Sequence, residues 1–269
     1  MLESVSRVLM LSSNDNTARP RDLLIKPLHG VPRVAEGDHI ARLTLSAVER
    51  AGLQLQDGDV LVFAQKIISK AEGRSMDLDG VTPSARALQL AEETRKDPRV
   101  VELILRESTE VLRHRPGLIV IVHRLGLVLA NAGIDQSNVD EGHALLLPVN
   151  PDASAAGIRQ DVRAATGADV AVLIIDSIGR AWRQGTIGTA IGASGIPTLL
   201  DLRGQPDLNG RRLESTEIGY ADELASAASL MMGQAAEGVP IVLIRGAPYA
   251  RRDGSAADLL RPKATDLFR

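Results

Sequence analysis

Two periodicities organise the apolar positions of this chain. Residues 60–63 (VLVF) and 170–175 (VAVLII) are unbroken apolar runs of strand length, the pattern of strands covered on both faces. Further strand-like segments lie at 23–28, 118–122, 126–130 and 239–245, and the middle two read as a hairpin through His123, Arg124 and Leu125. Elsewhere the spacing changes to three and four. Ile40, Leu43, Ala47, Val48 and Ala51 mark one helical face, with Asp38 as its expected cap and Gly52 as its stop. Helices are likewise predicted over 84–96, from Asp97 to about 114, over 151–166 and over 217–232. The second of these places Val101, Ile104, Leu105 and Leu112 together, and the last carries Ala221, Ala225 and Ala228, small enough for close packing. Loops are expected at 29–32, 56–59, 131–142 and through the Gly- and Thr-rich stretch 179–195. Strands and helices mix without a strict βαβ rhythm and without a repeat. The expected class is therefore α+β, or mixed α/β, with mixed and antiparallel sheets.

Composition narrows the chemistry. The 269 residues suit one large domain or two intimate halves, and 44% hydrophobic with 24% charged residues describes a folded protein. Residues 1–22 read as a polar, mobile arm with no signal-like apolar region. No run approaches the roughly 20 apolar residues of a bilayer span, so a cytoplasmic location without a membrane partner is expected by elimination. A net charge of −3 argues against nucleic acid as a partner. Cysteine is absent, which excludes disulfides, thiolate metal sites and cysteine nucleophiles. Phe63, Trp182, Tyr220, Tyr249 and Phe268 are too few for a base-stacking platform. Oxygen-ligand metal and phosphate chemistry remain.

Four constellations could carry such chemistry. Asp176-Ser177 follows the buried run at 170–175, where a strand end aims a carboxylate into a crevice. A hydroxyl beside it offers a second oxygen to Mg²⁺ or Mn²⁺, although the pair reads equally as a helix N-cap. The loop 131–138 sets Asp135 among amides, either as a cation ligand or as an Asx turn. Two acidic loops leaving one sheet edge would repel unless a cation lay between them. Gln65-Lys66 and Ser69-Lys70 could meet phosphate or simply face solvent. Met232-Gly233-Gln234 is a helix C-cap, an amide donor to a ligand, or both. No G-x-x-x-x-G-K-[ST] occurs, and the glycines at 185–192 do not fit G-x-G-x-x-G, so P-loop and Rossmann sites are unsupported. The five histidines lack zinc spacing, and G-A-S-G-I at 192–196 fails as a nucleophile elbow.

Taken together, seven segments resemble the coenzyme F420-0:L-glutamate ligase family. They are KPLHGVP at 26–32, LQDGD at 55–59, QKIISKAEGR at 65–74, AGIDQSN at 132–138, LLPVNPD at 146–152, IDSIGRAWR at 175–183 and TEIGYADELASAA at 216–228. The resemblance implies GTP-dependent ligation in coenzyme F420 biosynthesis. GTP phosphorylates the side-chain carboxylate of F420-0, L-glutamate attacks the acyl phosphate, and further glutamates join through γ-linkages. It implies Mg²⁺ or Mn²⁺ at two sites, Asp135 with Asp176 at one and Ser177 with Gln234 at the other, and potassium as a further ion. Asp135, Asp176 and Lys70 would be catalytic. Contacts to GTP would come from Val31, Pro32, Arg33, Val34, Gln65, Lys70 and Asn138, and from the turn Met232, Gly233, Gln234, Ala235, Ala236, Glu237, Gly238 and Val239. It also implies a homodimer of two intertwined parts, with residues 23–247 as the catalytic domain and 248–269 as a tail without assignment. The segment 201–210 lacks the tyrosines associated with that loop in the family. An amide ligase for another carboxylate acceptor therefore stays open as an alternative; a non-catalytic GTP-binding regulator is the second, and Asp135, Asp176 and Lys70 together argue against it.

Overall fold

The computed structural model describes residues 22–268; the arm expected at 1–22 lies almost wholly outside them. In chain order the elements are β1 (Leu24–Pro27), α1 (Ile40–Arg50), β2 (Val60–Ala64), α2 (Gln65–Ala71), β3 (Ser75–Asp77), α3 (Ala85–Thr94), α4 (Pro98–Arg106), β4 (Ser108–Arg115), β5 (Leu118–His123) and β6 (Val128–Ala130). There follow β7 (His143–Leu145), α5 (Pro151–Thr166), β8 (Ala171–Arg180), β9 (Arg183–Ser194), β10 (Leu200–Asp201), β11 (Glu217–Ile218), α6 (Tyr220–Met232) and β12 (Ile241–Arg245).

A five-stranded mixed sheet, ordered β1-β12-β2-β8-β9, forms the centre. Only β2 and β8 run parallel. Side chains alternate across it as a strand requires. Leu61 and Phe63 of β2 join Val172 and Ile174 of β8 in a core beneath α1, α2 and α5. Val60 and Val62 join Leu173 and Ile175 in a second core beneath α6. The two unbroken apolar runs are thus explained: each strand is covered on both faces. A third core belongs to a smaller unit, where α3 and α4 pack with the antiparallel sheet β4-β5-β6. The class is the mixed α+β one that the patterning implies.

Local signals placed several ends well. Ser84 caps α3 by accepting from Ala87 N, Asp97 caps α4 with Pro98 at its first position, and Asn150 caps α5. Four expectations fail. The helix from Asp97 stops at Arg106, and residues 108–115 form β4, because Pro116-Gly117 turns the chain back to pair with β5. The stretch 179–195 is not a loop: it is mostly β9, paired along the whole length of β8. Glycines tolerated there serve close packing, since a Cβ on Gly188 would collide with the Ala225 carbonyl oxygen of α6. Asp38 does not cap α1; its carboxylate accepts instead from Ala35 N. Glu217 and Ile218 belong to β11, so the last helix starts at Tyr220.

The segment after β12 is a strap across the body. Asp253 accepts from Gly195 N, Ser255 Oγ donates to Asp152, and Gly254 lies against Ile196 and Thr198 backbone. Farther on, Lys263 pairs with Glu110 at 3.0 Å, and Phe268 meets Trp182 at 6.2 Å between ring centroids.

Candidate active site at one sheet edge

One edge of the central sheet gathers nearly all the expected site residues. Ile241 pairs with Phe63, and Ala64 with Ile175, so the start of β12, the end of β2 and the middle of β8, where it outruns β2, share that edge. β1 ends there too, with Leu28 N donating to Ile241 O. The stretches 31–34, 65–70 and 232–239 and the pair Asp176-Ser177 therefore emerge side by side. The loop carrying Asp135 reaches them through a backbone bridge between Asp135 and Leu145.

Asp176 sits where β8 leaves the core: Ile175 is buried, Asp176 half-buried, Ser177 exposed. The strand continues to Arg180, which removes the helix-cap reading of this pair. Burial pushes the Asp176 carboxyl up to about 6; the nearby Asp135 charge adds to this, while a bond from Ser177 N at 2.8 Å opposes it. Asp135 goes the other way. Burial opposes its charge, but Lys66 at 2.5 Å and Ser137, through both N and Oγ, outweigh that and hold the carboxyl below its usual range. The Asx-turn reading of this loop is thus correct, and the turn also presents its carboxylate to the site.

Cations gather opposite. Lys66 and Lys70 lie four residues apart, on one face of α2. Lys66 reaches Asp135 and Ser137, and Lys70 donates to Asn138 O at 2.7 Å. The Lys70 ammonium is held below the usual lysine range by burial first, then by the charges of Arg33 and Lys66. Arg33 itself pairs with Asp140. Three cations held near one another at a sheet edge favour a polyanion.

The oxygen donors also converge. Ser177 Oγ donates to Gln234 Oε1 at 2.7 Å, and Gln234 Nε2 donates to Ser229 at 3.0 Å. Gly233 ends α6 with φ 73°, so the C-cap reading of the Met232 turn holds while Gln234 still faces Ser177. Beyond it, Glu237 accepts from Ala235 N, and Met232 and Val239 bury into the second core. Among the described residues no three His, Asp or Glu side chains form a metal cluster. Asp135 with Asp176, and Ser177 with Gln234 on the other face of β8, nevertheless supply two pairs of the oxygen donors that hard cations take, and the Asp176 carboxyl, raised chiefly by burial, lacks a cation of its own.

Not every expected contact faces this edge. Gln65 is only 2% exposed and its Oε1 accepts from Ser69, while Val34 packs into the first core. Lys66, beside rather than within the expected catalytic set, is the ammonium on Asp135. Its four-residue spacing from Lys70 was the available signal, and the helix that gives this spacing meaning went unread.

Residues 30–246 match the family model described as F420-0:Gamma-glutamyl ligase. The chain is 50% identical over 244 residues to the coenzyme F420:L-glutamate ligase of Methanothermobacter thermautotrophicus, covering 90% of this chain and 97% of that protein. Its counterpart from Methanocaldococcus jannaschii is 47% identical over 215 residues, 80% of this chain and 86% of the relative. That from Methanopyrus kandleri is 45% identical over 251 residues, 92% and 98% respectively.

Proposed function

The chain belongs to the F420-0:gamma-glutamyl ligase family, and from that premise we propose that it is a GTP-dependent ligase joining L-glutamate to coenzyme F420-0. The observation that carries this reading is the meeting of Asp135 and Asp176 at a sheet edge that also presents Lys66, Lys70 and Arg33. Carboxylates and cations interleaved at one edge match a nucleotide triphosphate held with divalent ions.

In this reading Asp135 and Asp176 hold one Mg²⁺ or Mn²⁺, and Ser177 with Gln234 a second. Bound there, the ions offset phosphate charge and polarise the phosphoryl oxygens. Lys70, with its ammonium less firmly protonated than usual, and Arg33 contact phosphate oxygens. Residues 233–238 of the turn after α6 and residues 31–33 flank the nucleotide. The terminal γ-phosphoryl group passes to the acceptor carboxylate, releasing GDP. The glutamate amine then attacks the acyl carbon, the amide forms, and phosphate leaves with its bonding pair; the amine's proton goes to solvent. Further γ-linked glutamates follow by the same steps. A potassium ion and a homodimer complete the reading.

The test is direct. Protein incubated with GTP, Mg²⁺ or Mn²⁺, L-glutamate and F420-0 should yield GDP, phosphate and a product heavier by one glutamyl unit. GDP release with another carboxylate but never with F420-0 would redirect the reading to a different acceptor. Tight GTP binding without turnover on any acid would make the chain a regulator.

A further inference from the structure

We propose that Arg180 binds an oxyanion of a substrate, a carboxylate or phosphate, farther along the strand that carries Asp176; this inference rests on the ligase reading above. Arg180 stands four residues beyond Asp176 on β8, which is about 13 Å along an extended strand. Side chains at 176, 178 and 180 share a face. Ile178, between the two charged residues, packs against the first core.

Three observations single out this guanidinium. First, Arg180 Nη1 is fully buried and has no hydrogen-bond partner. The only other such side-chain atom among the described residues is Nε2 of His123, and that one faces Glu107 at 3.5 Å. Arg180 has no corresponding carboxylate, and it makes no ion pair within the described residues. A guanidinium cannot shed its proton, so an unpaired buried N–H is a standing cost that an incoming acceptor would relieve. Second, the β8–β9 ladder is irregular at this residue. Gly179 pairs with Thr186, then Arg180 with Arg183, leaving Gln184 and Gly185 unpaired. Such irregularities re-aim a side chain next to a site. Third, the chemistry fits. Both organic substrates of the proposed reaction are acids, and a planar fork is the group that holds a carboxylate or phosphate in two bonds.

Two sources of the oxyanion are available: incoming L-glutamate and the acceptor. Binding separates them. Trp182, the chain's one tryptophan, lies two residues from Arg180 and reports L-glutamate by fluorescence; calorimetry reports F420-0 and GTP. Arg180→Gln should weaken one of the two acids about 10- to 100-fold and leave GTP affinity and thermal stability within error. Arg180→Lys keeps the charge but not the fork, so it should recover part of that loss and serves if the glutamine variant folds poorly. The acid whose affinity falls is the source. Unchanged affinity for both acids overturns the proposal, as does an equal loss for GTP, or wild-type protein that binds neither acid. A loss of self-association with acid affinity intact also overturns it and assigns the guanidinium to a subunit contact. Wild-type protein that binds an acid through Arg180 yet forms no glutamyl product would sink the ligase reading alone.

Discussion

The two units of this molecule treat charge in opposite ways. In the smaller unit Glu107 is buried at the end of α4 and fully answered: Arg74 at 3.1 Å, Arg124 at 3.0 Å and His123 at 3.5 Å surround it. Burial works against its charge, but these partners outweigh it and hold the carboxyl below its ordinary range. Arg74 also donates to Leu147 O, so the cluster ties this unit to the central sheet's first core. At the sheet edge Asp176 is also taken from water, yet its carboxyl is pushed up to about 6, with Asp135's charge adding to the burial. Arg180, on the same strand, keeps an unpartnered Nη1. A buried charge that its own chain satisfies is architecture. One left unanswered at the mouth of a strand is poised for a ligand.

Four substitutions would break or sharpen this contrast. Asp176→Ala should cost turnover most, on the order of 10²- to 10³-fold or more, because the cation would lose a carboxylate whose effect is worth several kcal/mol. Its thermal unfolding should not move downward; full activity in this variant refutes the metal assignment. Glu107→Ala should do the converse, strip stability by about 3 kcal/mol in a denaturant titration and spare activity per folded molecule. A loss of less than about 1 kcal/mol would mean that the cluster is incidental. Gly188→Ala tests the packing that positions β9 behind the site. Its methyl must displace the Ala225 carbonyl, so a loss of about 1–3 kcal/mol is expected from the same titration.

The last of the four shows itself only as a pH dependence. With its folded-state carboxyl near 6 and its unfolded value near 3.8, Asp176 takes up protons in the folded state where the unfolded chain has already lost them. Its contribution to stability is therefore greatest at low pH and is lost as pH rises from about 4 through 6. In buffer free of divalent ions, Asp176→Asn should lie close to the wild type at pH 4 and exceed it at pH 7 by about 3 kcal/mol. Equal stability of the two at both pH values would show that the carboxyl is not uncompensated.

Much of this was legible along the chain. Two unbroken apolar runs became strands covered on both faces, and Ser84, Asp97 and Asn150 began helices because a cap is made by neighbours within three residues. Absent cysteine and scarce aromatics left oxygen and cation chemistry; Asp135 does lie near Asp176 and Lys70, and Ser177 does bond Gln234 on the other face of β8. Local patterning mistook β4 for the continuation of a helix and β9 for a loop. Both are held by pairing with another strand, and a ladder bond leaves no period of its own in a Gly-rich or polar stretch.

Sequence alone thus determined the class of fold, the strands of the core and the kinds of donor available to the site. Tertiary structure decided which donors act together. It set Lys66 on Asp135, turned Gln65 inward to Ser69, raised Asp176 by burial and left Arg180 without a partner. The division has a physical cause. Periodicity and caps are set by residues a few positions apart, whereas desolvation and charge pairing depend on groups that only the folded sheet brings within a few ångströms.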